Sequence, residues 1–319
     1  MKHTILIFLC LCSAPLLAQQ DGLFIPLEIQ KAYENGTRSR DGNPGPNYWQ
    51  NMVDYDIDVS VDPGDRSIKG SETVTFYNNS PDSLNALVIR LYYDVFREGG
   101  ARSMQVNTED IGEVQITNLS INGEPYTIDG RKVRKNGTNL IISLNEALPS
   151  RESLEMKADW EQKVPLTLRR TGVYDSSSFF IAYWYPQVAA YDDIFGWDVL
   201  DYTFRTEFYN NLGNYDVRIS VPENFTVWST GVMQNPEEVF PDNILERYEQ
   251  ARESEEVVRI LGAEELEAGM TYQSGTWHFK AEEVTDFAFA MSDHYLWDAA
   301  VQPVADRQVL ISSAFPSEN

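Results

Sequence analysis

The chain has 319 residues, of which 49 are acidic and 25 basic, giving a formal charge of −24. That balance argues against a nucleic-acid partner and against docking on anionic lipid, since both call for a basic stripe that displaces counterions. With 42% hydrophobic residues, the length suffices to bury one large core or two.

The first residues read as an export leader. Met1-Lys2-His3 supplies a positive start, Ile5 to Leu17 an apolar stretch, and Ala18 a small residue for cleavage. Residues 1–18 are therefore expected to be a signal peptide, which predicts an exported protein, periplasmic or extracellular. The stretch is too short for a membrane span, and no later one reaches that length. Both cysteines, Cys10 and Cys12, fall inside the leader. A processed chain would then carry no disulfide, no thiolate nucleophile and no thiolate metal site. Residues 19–46 contain Asn35-Gly36 and Asp41-Gly42-Asn43-Pro44-Gly45-Pro46 with little apolar periodicity, and read as a linker or extended arm.

From Tyr48 the pattern changes. Tyr55, Ile57, Val59 and Val61 alternate with Asp54, Asp56, Asp58 and Ser60, which predicts a half-buried strand with one acidic, solvated face. Pro63-Gly64-Asp65 turns the chain into a return strand from Ile68 to Phe76, and Leu87 to Tyr93 follows as a third strand of an antiparallel meander. Further strands are expected at Gly112–Ile121, Leu140–Leu144 and Ser153–Trp160, with hairpin signals at Asn122-Gly123 and Asn136-Gly137. Val173–Tyr185, Thr203–Tyr209, Tyr215–Val221, Thr226–Met233, Trp277–Ala281 and Phe287–Ala290 extend the series. The expectation is a mostly β fold, an antiparallel β-sandwich or saddle-like curved sheet, over residues 47–306. One segment departs from it. Residues 236–269 hold eleven acidic and three basic residues, with Ile244, Leu245 and Tyr248 at helical spacing and Asp242 as a candidate N-cap. This predicts one acidic surface helix inserted between strands.

Catalytic chemistry finds little support. A zinc peptidase site needs two histidines one helical turn apart, a glutamate between them and a further carboxylate. The sequence contains no HExxH, and beyond the leader only His278 and His294, in an apparent strand and an apparent turn. No metal site and no catalytic residue are expected in this chain. Asp192-Asp193 are adjacent carboxylates, but sequence neighbours on a strand point to opposite faces, so a turn with one capping and one solvated aspartate is the simpler reading. A retaining or inverting glycosidase would need a second carboxylate facing them. No GxSxG elbow supports a serine hydrolase. Gly231-Val232-Met233-Gln234-Asn235 resembles a GxMEN motif with glutamine in place of glutamate, but it lacks that motif's context and reads as coincidence.

The run from Phe179 to Trp197, FFIAYWYPQVAAYDDIFGW, concentrates aromatics beside a proline, a glutamine and two carboxylates. Three readings stay open on its residues: plain core, a sugar platform of Tyr183, Trp184 and Tyr185, or one wall of a peptide cleft. The run resembles the substrate-facing segment of the N-terminal β domain of the aminopeptidase N family of zinc metallopeptidases, the gluzincins. Other segments resemble the same domain in order. They are Tyr55–Val59 with Ile68–Phe76, Leu87–Tyr92, Tyr215–Pro222 with Thr230-Gly231, and Asp286–Ala290. The resemblance implies a non-catalytic scaffold and substrate-cleft domain of an exported peptidase, with Trp184, Tyr185 and Gln187 lining the cleft. It also implies zinc in a catalytic domain absent from this sequence, that domain and a peptide substrate as partners, and residues 307–319 as the start of the junction. One departure stands out. The family has Glu or Gln before the proline to hold a substrate's amino group, whereas Tyr185 precedes Pro186 here, and a phenol cannot neutralise an ammonium. The alternative from another class is a free-standing β module that binds a glycan or a protein.

Overall fold

The computed structural model describes residues 24–128, 130–167 and 169–317; the signal-peptide expectation for 1–18 lies outside them. Two compact units divide the chain, residues 1–48 and 49–319. In the first, Leu27–Asn35 forms helix α1, where the sequence led to a linker or extended arm. Gly36, at φ 72°, ends the helix and its N–H returns to the carbonyls of Ala32 and Tyr33, the left-handed exit that glycine adopts without steric cost. Asn47 then donates to the last-turn carbonyl of Asn35. Turn residues that look like linker composition thus fold a short helix and its return.

The second unit is mostly β. Its main strands are β1 (Met52–Asp62), β2 (Ser67–Tyr77), β3 (Leu84–Arg90), β4 (Gln115–Ile121), β5 (Asn139–Leu148), β6 (Ser153–Lys163), β7 (Ser178–Ile181), β8 (Leu212–Ser220), β9 (Thr226–Ser229), β10 (Thr276–Val284), β11 (Phe289–Ser292), β12 (Tyr295–Val304) and β13 (Arg307–Pro316). A large sheet runs in the order Val232–Met233, β10, β8, β1, β2, β6, β4, Glu124–Pro125. A second sheet runs β9, β11, β7, Gly172–Val173; a third runs Gln187–Val188, β3, β5, Val133–Asn136; a fourth runs Val258–Leu261, β12, β13.

The alternation in β1 works as expected. Val53, Tyr55, Ile57, Val59 and Val61 are buried, while Asp56 and Asp58 face out. In β2, Ile68, Val74 and Phe76 keep the same phase. Gly70 is required there, because a Cβ at this position would lie 2.3 Å from Trp160 of the neighbouring β6. Burial of each such large apolar side chain contributes about 1.5–3 kcal/mol. Asn122 and Gly123 both take positive φ, at 50° and 80°, as the two-residue hairpin requires.

Four expectations change. The meander does not continue, because β3 leaves for the third sheet, and β1 instead pairs with β8 in parallel, from Met52↔Leu212 to Ser60↔Ser220. A parallel neighbour needs a long crossover, and periodicity carries no information about which distant strand arrives. Residues 203–209 form no strand, and the expected strand 173–185 shrinks to Gly172–Val173 and β7. Tyr183 and Phe204 sit at positive φ, 43° and 70°, which a continuing strand cannot hold. The acidic insertion is three short helices, α2 (Pro236–Val239), α3 (Asp242–Ala251) and α4 (Ala263–Glu267), plus the strand Val258–Leu261. Pro241, not Asp242, occupies the N-cap of α3, and no side chain caps it. The helix buries Ile244, Tyr248 and Ala251, and Phe240, Tyr248 and Trp297 pack ring on ring beside it.

Candidate functional site

The aromatic run forms the joint between the second and third sheets. β7 leads into it, and Gln187–Val188 leaves by pairing with Arg90 and Ile89 of β3. Between these strands the chain dives inward. Tyr183, Trp184, Tyr185 and Gln187 are all 2% exposed or less, and their polar side-chain atoms are taken up internally except Gln187 Oε1, which has no hydrogen-bond partner among the described residues. Trp184 Nε1 donates to the Phe287 carbonyl at 2.9 Å, and its own carbonyl accepts from Trp160 Nε1 at 3.1 Å. The Tyr185 hydroxyl donates to Asp286 Oδ1 at 3.1 Å and lies 2.9 Å from the Tyr215 hydroxyl. Gln187 Nε2 donates to the Thr285 carbonyl at 3.1 Å. The Tyr55 ring stacks on Tyr215 at 4.7 Å, and its hydroxyl accepts the Val188 N–H at 3.0 Å.

Burial controls the electrostatics of this knot. It pushes the Tyr55 and Tyr185 phenols well above their ordinary range. It raises Asp286 to about 6, against the opposing hydrogen bonds from the Phe287 N–H and the Tyr185 hydroxyl. Glu72, on the inward face of β2, is raised well above its ordinary value by burial alone, and neither of its oxygens has a hydrogen-bond partner among the described residues. Trp184, Tyr185 and Gln187 are thus brought together, but their side chains lie in the core and none lines an open cleft. The same burial removes Tyr183, Trp184 and Tyr185 as a stacking platform for sugars.

What reaches solvent is the loop that follows. Tyr191–Asp192 pairs with Gly196–Trp197, and Asp192 caps the turn. Its Oδ1 accepts the Ile194 and Phe195 N–H groups at 2.9 and 2.7 Å, and its Oδ2 accepts the Tyr209 hydroxyl at 3.2 Å. Both oxygens are committed, which leaves the carboxylate poorly placed for acid–base work. Arg90, 3% exposed, reaches from β3 to the carbonyls of Asp198 and Leu200, and Asn139 of β5 donates to that of Val199. The tethered loop holds Phe195 at 79%, Leu200 at 68% and Val199 at 46% exposure. Sequence reasoning overlooked these three. The available signal was apolar residues alternating with glycine and aspartate, where a surface turn would be polar.

The histidines serve other ends. His278 Nε2 lies 2.6 Å from Asp216 Oδ1 on the outer face of the large sheet, where Lys280 and Arg218 also approach Asp216. His294 Nδ1 lies 2.8 Å from Asp293, and its Nε2 lies 3.2 Å from Asp175. Ser177 joins that cluster, so serine, histidine and aspartate do meet. However, the Ser177 hydroxyl donates to Asp293 at 2.6 Å and stands 3.3 Å from the imidazole. A nucleophile needs its proton taken by the base; this arrangement instead ties the start of β7 to the end of β11. The two histidines sit apart, each already facing carboxylates, and do not fit a gluzincin zinc site. Gln234 is exposed and donates to the Val232 carbonyl at the edge of the large sheet.

No protein-family model matches the sequence, and no curated protein does. Among solved structures, the chain is similar to an M1 zinc metallopeptidase from Deinococcus radiodurans at 10% identity and a TM-score of 0.46, over 86% of this chain and 49% of that one. A glutamate-to-alanine variant of M1 zinc metallopeptidase from Deinococcus radiodurans, bound to a Tyr-Ser-Ala substrate, gives 10% identity and a TM-score of 0.44 over 86% and 50%. The chain spans about half the length of these structures.

Proposed function

We propose that this chain is the non-catalytic N-terminal β domain of an exported zinc metallopeptidase of the aminopeptidase type, serving as scaffold and wall of its peptide cleft. The observation that carries the reading is the tethered loop at Phe195, Val199 and Leu200. It follows directly on the aromatic run that resembles the family's substrate-facing segment. A solvent-facing apolar loop fixed by a buried arginine suits a surface that another body covers. In this proposal the covering body is the protein's own C-terminal catalytic domain, which holds the zinc and meets the peptide substrate. Trp184, Tyr185 and Gln187 then act from beneath, as positioning residues that set the height and direction of the loop. With Tyr185 bound to Asp286 and Tyr215, a substrate's amino group would find its partner elsewhere in the complete enzyme.

The test compares two purified proteins, this chain without its leader and the longer product of its reading frame. Zinc content and turnover of a fluorogenic aminoacyl substrate are measured on both. The expected result is zinc and turnover in the longer protein only. Stoichiometric zinc with turnover in the leaderless chain would overturn the scaffold reading. A reading frame that stops without an HExxH would favour the free-standing module, with the same loop contacting a protein partner.

A further inference from the structure

A groove of about 560 Å³ opens between the large sheet and the third sheet, lined by residues of 121–126 and 144–154 and by none of the aromatic run. Its apolar floor is Ile121, Tyr126, Leu148 and Leu154, all part of the hydrophobic core. Its rim carries Glu124, Glu146 and Glu152, all exposed, and none of its lining residues is a lysine or arginine. One wall is irregular. The pairing of β3 with β5 steps from Leu84↔Leu148 to Ala86↔Ser143, so residues 144–147 bulge out of the ladder with no assigned partner on either edge. The Asn145 N–H turns to the Tyr126 hydroxyl at 2.9 Å, and residues 145–147 are exposed.

We propose that this groove docks an extended peptide segment of a partner protein, one that carries lysine or arginine on either side of a large apolar side chain. The volume lies within the range of built ligand sites. The floor offers apolar contact, the bulged strand offers main-chain groups for strand addition, and the three rim carboxylates select the charge. Complementarity decides the occupant. A lipid headgroup or a nucleic acid would bring phosphate against three glutamates, and the one aromatic residue lining the groove, Tyr126, is buried. Rim charges of this kind act mainly on encounter and discrimination, and salt screens them. The inference is independent of the role proposed for the apolar loop, since no residue is shared.

The experiment titrates the isotope-labelled, leaderless chain with a blocked hexapeptide that alternates lysine with leucine, following amide shifts. The control peptide has glutamate in place of each lysine. The expected result is shifts confined to residues 121–126 and 144–154, no shifts with the control, and roughly tenfold weaker binding between low and high salt. Glu124→Lys with Glu146→Lys is expected to weaken binding by about tenfold while leaving the melting temperature unchanged, because both side chains are exposed. Equal binding of both peptides would overturn the proposal. So would shifts centred on the aspartates of β1, which would mean unspecific attraction to an acidic surface. If the double variant failed to fold, the peptide control and the salt dependence would decide alone.

Discussion

Replacing Glu72 by methionine should make this protein more stable, and by an amount that grows with pH. Glu72 occupies an inward position of β2, in phase with Ile68 and Val74, at 3% exposure. Neither carboxylate oxygen has a hydrogen-bond partner among the described residues. A buried polar group left unpaired costs about 1–3 kcal/mol, and an unbranched thioether of similar volume removes that cost with little strain. The sign of the pH dependence follows from the raised pKa. The folded protein keeps the Glu72 proton, while the unfolded chain gives it up above the ordinary value of 4.5. Stability present below that pH is therefore lost as pH rises toward the folded value. The Glu72→Met variant lacks this loss, so its advantage should be least near pH 4 and larger by pH 8. Urea unfolding of both proteins across that range reads the difference directly, and thermal melts should separate by several degrees at the upper end. A variant less stable than the parent at pH 8, or a gap that stays constant from pH 4 to 8, would refute the reasoning.

Asp94 and Asp286, each raised by burial to about 6, act in the same direction over a lower window. Stability should fall between about pH 4 and 6, by up to about 3 kcal/mol per group at about 1.4 kcal/mol per unit. Denaturant titrations of Asp94→Asn and Asp286→Asn should show a flatter slope in that window. Gly70→Ala should cost about 1–3 kcal/mol by forcing Trp160 off its seat, visible as a lower urea midpoint and a changed tryptophan emission. Arg90→Met should release residues 190–202. It abandons the carbonyls of Asp198 and Leu200, and amide exchange there should accelerate far more than in β1 or β2.

The sequence declared its strands wherever one face is buried and the other wet. The aspartates of β1 against its tyrosine, isoleucine and valines leave no other reading, and the Asn122-Gly123 turn follows from the positive φ it demands. What stayed hidden depends on distance or on handedness. Nothing in Met52–Ser60 names Leu212–Ser220 as its parallel neighbour. The positive φ at Tyr183 breaks the strand just before Trp184 and Tyr185 enter the core, an outcome that alternation alone does not give. The candidate residues of the aromatic run were therefore identified as a group, while their orientation was not. Glu72 left a trace in the sequence, a glutamate at the phase of Ile68 and Val74, which marks a buried carboxyl group. Pro241 displaced Asp242 as a cap because its fixed φ already suits the entry to a helix.

The parallel seam between β1 and β8 also sets how the molecule can be made. β1 and β2 can close their hairpin as soon as Tyr77 is available, but the other edge of β1 stays unpaired until Leu212–Ser220 is delivered. At about 5–20 residues per second, that interval lasts roughly 7–30 s during synthesis, and longer still if the chain crosses a membrane unfolded. Throughout it, an eleven-residue strand offers open backbone groups to any other chain nearby. Asp54, Asp56 and Asp58 line that waiting strand on its wet face. Their mutual repulsion would discourage two nascent copies from pairing edge to edge, so the aspartates that solvate the finished sheet would also guard the unfinished one.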